Sequence, residues 1–267
     1  MIIRTTFRRF SLCWLAAALL ALPAAGAAQE RLTDKQVKQL LEDLDNTRDR
    51  FEDQLDGSLK RATLRGPGGE VTVETYLQDL QDNVKKLKDR FGSDSTASTE
   101  AQTVLRQASA IQGFLQTRPG VKGTEEWQRM GSVLTRLAPA FGTTFPMPEG
   151  ATVRRYNDAE VAATAEAVSK GADEFYKAAS QDKTLSKAEK QALKADTDAM
   201  KKAAKSLQDL VNSGRPSAAT VQALANASGN LGRFASGRQL VPGAQRLWGP
   251  LAGNLTKLGQ IYGTSLL

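Results

Sequence analysis

The chain has 267 residues, with 36 lysines and arginines against 29 aspartates and glutamates, one cysteine and no histidine. One cysteine cannot form an internal disulfide. Without histidine, the Ser-His-Asp and Cys-His arrangements of nucleophilic catalysis and the histidine-bearing metal pairs of helical bundles cannot be built. Carboxylates alone make poor structural zinc sites, so no metal or other cofactor is expected, and the chain does not read as an enzyme. The charge is uneven: residues 29–149 hold 17 basic and 19 acidic residues, and residues 150–267 hold 16 and 10. Such an asymmetry points to different surroundings for the two halves.

Residues 1–28 read as an export signal. Arg4, Arg8 and Arg9 give a basic start, an apolar run extends from Leu12 to Leu22, Pro23 ends it, and Ala25-Gly26-Ala27 offers small residues for cleavage. The run is about half of the roughly 20 apolar residues that a membrane span needs, so no transmembrane span is expected after cleavage. Ser11 stands where a twin-arginine signal carries Phe or Leu, which favours the general secretory route. Cys13 lies inside the signal. A periplasmic or secreted protein of a bacterial envelope is the expectation.

The first unit is expected over residues 31–145. Thr33 and Gln36 have the spacing of a capping box, with Leu32 and Val37 as a hydrophobic staple, and a seam follows at Val37, Leu41, Leu44, Arg48, Phe51 and Leu55. Residues 57–72 interrupt the helical pattern, and the glycine-rich Gly66-Pro67-Gly68-Gly69 stretch reads as a long loop or a small hairpin. No Gly-Lys-Ser/Thr follows, so it is no phosphate loop. Thr72 caps a second helix, whose apolar residues at Val73, Leu77, Leu80, Val84, Leu87 and Phe91 share one face. Ala101, Leu105, Ala108, Ile111 and Leu115 mark a third helix. Trp127, Met130, Leu134, Leu137 and Phe141 mark a fourth, which Pro139 should kink or open.

After a linker at 146–156 the plan returns over residues 157–265. Asn157 and Glu160 take the capping positions, and Val161, Ala165, Val168, Ala172, Phe175 and Ala179 form the seam, 124 residues after the first. Ser186 and Glu189 form another capping box. Leu193, Thr197, Met200, Ala204, Leu207 and Val211 repeat the second helix 120 residues on, and Trp248 to Tyr262 answers Trp127 to Phe141. The expected fold is therefore all-α: two tandem antiparallel four-helix bundles from an internal duplication, following the signal peptide. The second unit has more alanine in its seams, so it should bury less apolar area and be the less stable half.

The fragment Leu32-Thr33-x-x-Gln36 resembles the LTxxQ motif of small periplasmic helical chaperones of the envelope-stress type. The match covers five residues, and the equivalent Tyr156-Asn157-Asp158-Ala159-Glu160 lacks it. The resemblance implies a holdase, which would need an apolar groove, most simply between the two units.

Three other features carry functional readings. Lys187, Lys194 and Lys201 recur every seven residues, with Lys190 and Lys205 nearby. They form either a contact for an anionic surface or a solvated flank whose stems cover the core edge. Arg48 occupies a seam position where the second unit has Ala172; it is either buried in an ion pair or turned to solvent beside Asp45 or Glu52. The loop at 57–72 is the main departure from repetition and is either functional or a lid on the bundle. The expected role is a non-enzymatic binding or structural one. Its partner would be another envelope protein or an anionic envelope component, and no nucleic acid is expected, since few aromatics interleave with the lysines.

Overall fold

Each long helix starts where the sequence supplies a cap and buries the stripe of residues spaced three and four apart. A computed structural model describes residues 28–66, 69–118, 120–215 and 217–267. The expected signal peptide at 1–28, Cys13 included, lies outside them apart from Ala28.

Helix α1 (Asp34–Gln54) begins with the capping box complete: the Gln36 N–H donates to Thr33 Oγ1, and the Thr33 N–H donates to Gln36 Oε1. The five-residue likeness to the chaperone motif thus has a structural cause in a helix start. Residues 57–72 form one helical turn, α2 (Gly57–Lys60), and an antiparallel hairpin of β1 (Thr63–Gly66) and β2 (Gly69–Thr72). Leu64 pairs with Val71 and both pack onto the core, so the hairpin has an apolar underside and lies over the next two helices. Pro67 and Gly68 at its tip lie outside the described residues. Gly69 has φ +122°, a conformation that favours glycine.

Helix α3 (Val73–Asp94) is capped by Thr72, and α4 (Ser98–Gln116) follows a left-handed turn at Ser95. Helix α5 (Thr124–Leu137) tightens into a 3-10 turn at Ala138–Phe141. Pro139 has no N–H for the α-helical ladder, and Gly142 closes the turn with φ +69°. Helices α6 (Asp158–Ala179) and α7 (Lys187–Asn212) open with the expected capping boxes. Helix α8 (Ala218–Ser236) has no side-chain cap of its own, and α9 (Pro242–Ile261) starts on a proline, whose missing N–H costs nothing in a first turn.

The described residues are mostly helical, with nine helices and one two-stranded sheet. None of these helices is long and apolar enough to cross a membrane. Buried side chains gather in two clusters. One belongs to α1, α3, α4, α5 and the hairpin, and the other to α6, α7, α8 and α9. Helix α1 lies against α3 and α5, and α3 against α4; likewise α6 lies against α7 and α9, and α7 against α8. Phe51 meets Trp127 with ring centres 5.1 Å apart, and Phe175 meets Trp248 at 5.3 Å. The matched tryptophans are therefore ring partners of the cores, Trp127 buried and Trp248 half-buried.

Candidate functional site

The two cores meet at a crossed ionic joint. Helices α1 and α6 start with Asp34 and Asp158, and each aspartate accepts the other's backbone N–H: Asp34 N donates to Asp158 Oδ2 at 2.9 Å, and Asp158 N donates to Asp34 Oδ2 at 3.0 Å. The remaining oxygens take arginines, again crosswise. Arg31 pairs with Asp158, and Arg155 with Asp34 at 2.5 Å. Carboxylates at helix N-termini are favoured there by the helix dipole.

Arg155 is the better buried of the two arginines, its side chain 0% exposed. Its guanidinium also donates to the carbonyls of Ser95 (3.1 Å), Ala140 (3.2 Å) and Leu32 (3.4 Å), and it lies over the rings of Phe91 and Phe141. It ties the ends of α1, α3 and the 3-10 turn together. Burial, then the charge of Arg31, pushes its pKa down against the pull of Asp34. Burial also raises the pKa of Asp158 above its ordinary 3.8, outweighing the Asp34 N–H and Arg31. Asp158 accordingly favours the folded state most below that ordinary value, and the advantage is lost as pH rises through its raised pKa.

The residues before each helix are exchanged between the cores. Gln29 N donates to Tyr262 O at 2.9 Å, at the end of α9, while Arg154 N donates to Phe141 O at 3.0 Å. Glu30 completes α8 from a distance: its carboxylate accepts Ser217 N at 2.9 Å and Ala218 N at 3.0 Å. Glu30→Ala should therefore behave as the loss of an N-cap, at about 0.5–2 kcal/mol, although residue 30 precedes α1. Urea unfolding of the variant checks this, and no change would mean that α8 is capped adequately by water.

Arg48 stays buried at 2% exposure rather than turning to solvent. It pairs with Asp49, with Glu52 at 2.9 Å and with Asp45 at 3.9 Å, all on its own helix, while its Nε has no partner. Lys88 of α3 bridges to Asp45 and Glu42. Arg48 thus closes a core edge beneath carboxylates of its own helix.

The lysine row divides. Lys194 pairs with Asp198, and Lys201 with Asp173 of α6. Lys187 and Lys190, with Lys194, border a groove of about 360 Å³ beside Tyr176 and Leu185. Lys205 is exposed and has no ion pair among the described residues. Near the start of α7, hydrogen bonds from Arg238 and Ser186 hold the Glu189 carboxyl at about 2, against an ordinary 4.5. A depressed carboxylate stabilises above its unfolded pKa and loses that contribution as pH falls through the folded value. Glu189→Gln should lower the melting temperature at neutral pH, and the gap to the wild type should close between pH 4.5 and about 2. A gap that persisted at the acid end would mean the ion pair is not its source.

The hairpin roofs a second groove, of about 520 Å³, over the seam of α3 and α4. Arg65 of β1, Tyr76 of α3, and Thr99, Gln102, Thr103, Arg106 and Gln107 of α4 line it, and no carboxylate does. Of the glycine stretch predicted as the functional loop, Gly66 lies close to the Tyr76 ring and Val71, beside the groove rather than in its lining.

Compared with known proteins, the chain matches no family model, no curated protein and no solved structure.

The charged residues of the joint repeat in the sequence, although nothing local shows that they meet. Arg31-Leu32-Thr33-Asp34 and Arg155-Tyr156-Asn157-Asp158 stand 124 residues apart, the offset of the capping boxes. Matching the caps finds the polar middle of each tetrapeptide; matching the charges at its ends finds the joint. The groove had a weaker signal, since only Arg65 belongs to the interrupted stretch and the other lining residues sit on ordinary helix faces.

Proposed function

We propose that the protein is a non-enzymatic helical binding or structural protein of the bacterial envelope, delivered by its N-terminal signal and built as two four-helix bundles copied from one ancestor, at 31–145 and 157–265. The copying is supported by the crossed joint, in which Arg31, Asp34, Arg155 and Asp158 keep the 124-residue offset of the caps. One observation carries the functional reading. The carboxylates brought face to face, Asp34 and Asp158, have both oxygens engaged by backbone N–H groups and arginines, so they lock a frame and leave cationic grooves on its surface. A rigid frame with preformed polar grooves suits recognition, because little conformational entropy is lost on binding.

The holdase alternative needs a greasy face. The junction between the cores carries arginine and aspartate, and Leu267, at 49%, is the one exposed large hydrophobic residue among those described. Both facts favour the binding reading. Its partner is an anionic envelope component or the acidic face of another envelope protein. Fractionation and pull-down from envelope extract test it, using charge reversals at Lys187 and Lys190 and separately at Arg65 and Arg106. Periplasmic recovery and capture lost in one reversal are expected. Recovery in the cytoplasm, or capture unchanged in both, would overturn the proposal.

A further inference from the structure

The groove beneath the hairpin has the donors of an oxyanion site. Arg65 and Arg106 both line it, and neither has a carboxylate partner among the described residues. Glu70 stands across the strand from Arg65 without closing an ion pair. The Gln102 carboxamide, with its oxygen turned to Arg106, accepts from both terminal guanidinium nitrogens, at 2.5 and 3.3 Å, which orients that guanidinium. Two further donors at the groove belong to mostly buried side chains. Tyr76 is 3% exposed and Gln107 is 7% exposed. Gln107 Oε1 is occupied by Asn83 at 3.0 Å, while the Gln107 NH2 and the Tyr76 hydroxyl have no hydrogen-bond partner among the described residues. Neither group is among the buried unpaired polar atoms, so both open onto the groove and are free to bond what enters it.

Packing does not require the polar groups of this groove. At 120 residues further on, the offset at which α7 and α8 repeat the seams of α3 and α4, Thr99, Thr103 and Gln107 are replaced by Ala219, Ala223 and Ala227, and Arg106 by Asn226. The second core is built without these polar groups and without a roofing hairpin. We infer that the groove of Arg65, Tyr76, Thr99, Thr103, Arg106 and Gln107 binds a phosphate group carried by an envelope molecule. Guanidinium forks suit the oxygens of a phosphate, and the Tyr76 hydroxyl and the Gln107 amide can take those that remain, while the Thr103 hydroxyl already donates to the Thr99 carbonyl at 3.1 Å. The inference rests on the reading of the chain as a binding protein and names its ligand class. The phosphate could belong to a soluble ester or to a lipid headgroup, which share this chemistry.

The test is a titration of the purified, 15N-labelled protein, processed as the cell processes it, with glycerol phosphate and separately with phosphatidylglycerol vesicles against phosphatidylcholine ones. Saturable shifts of the Arg65 and Arg106 side-chain Nε–H signals and of the Tyr76 and Thr103 amides are expected. Response to the ester identifies a soluble source, and response to the anionic vesicles alone a headgroup. Arg65→Gln with Arg106→Gln should weaken binding about tenfold or more, the loss of at least one charge-assisted contact, with unchanged helical circular dichroism; Arg136→Gln, at an exposed position outside both grooves, should not. Should the variant fail to fold, Tyr76→Phe, which removes the hydroxyl at the groove and keeps the packed ring, provides the comparison, again with weaker binding expected. No shift with either probe, or equal shifts in the arginine variant, would overturn the inference. Envelope capture surviving in that variant would leave the binding role standing while removing this site.

Discussion

Arg155→Met is expected to destabilise the protein by about 3–5 kcal/mol, the range for breaking a buried ion pair from one side. The arginine is fully buried, and its removal leaves Asp34 without its cation and the carbonyls of Ser95 and Ala140 without a donor. Arg31→Met should cost less. Arg31 retains some exposure, and besides Asp158 its guanidinium reaches the neighbouring Leu32 carbonyl. Urea unfolding at neutral pH gives both values, and a cycle with Asp34→Asn should return a coupling energy of about 0.5–3 kcal/mol. Losses below about 1 kcal/mol in both arginine variants would mean that water replaces the guanidinium at both ends of the joint. The two cores would then not be held as one rigid frame.

Phe175→Ala is expected to cost about 3–5 kcal/mol, and more than Phe51→Ala at the matching position. Both rings are fully buried and both meet a tryptophan. Their neighbourhoods differ. One turn away on either side of Phe51 stand Arg48 and Leu55, longer side chains that can lean into a void. At the matching positions beside Phe175 stand Ala172 and Ala179, and α6 already lies close against α7 and α9. A methyl group cannot reach into the space, so the cavity persists and its cost is added to that of the lost transfer energy. Phe175 also meets Phe234 edge-on, with centres 6.4 Å apart, and this contact goes as well. Calorimetry would report the difference directly. A smaller loss at Phe175 than at Phe51 would contradict both this account and the expectation that the alanine-rich half is the weaker.

Helix starts and buried stripes were legible in the chain because their causes are local. Thr33 and Gln36, Asn157 and Glu160, and Ser186 and Glu189 are three residues apart, and a backbone N–H within one turn is all that each cap requires. The seam of α3 from Val73 to Phe91 is buried at every expected position. Pro139 forces a departure from the α-helix wherever it stands, since the missing N–H is a property of the residue. The proposal of export rests on the sequence of residues 1–28, which lie outside the described residues apart from Ala28. Distance through the chain is what hid the rest. Arg31 and Asp158 are separated by 127 residues; their meeting depends on how two helix ends are turned toward each other, which no short pattern encodes. Arg48 could have faced either way by sequence, and its burial was decided by the rotation of α1 against α3 and α5, with Asp49 and Glu52 turning back to cover its charge. The groove required the hairpin to fold over α4, bringing Arg65 to Arg106 across 41 positions of chain. Side chains one turn apart are placed by the helix that carries them; those a hundred residues apart are placed by packing.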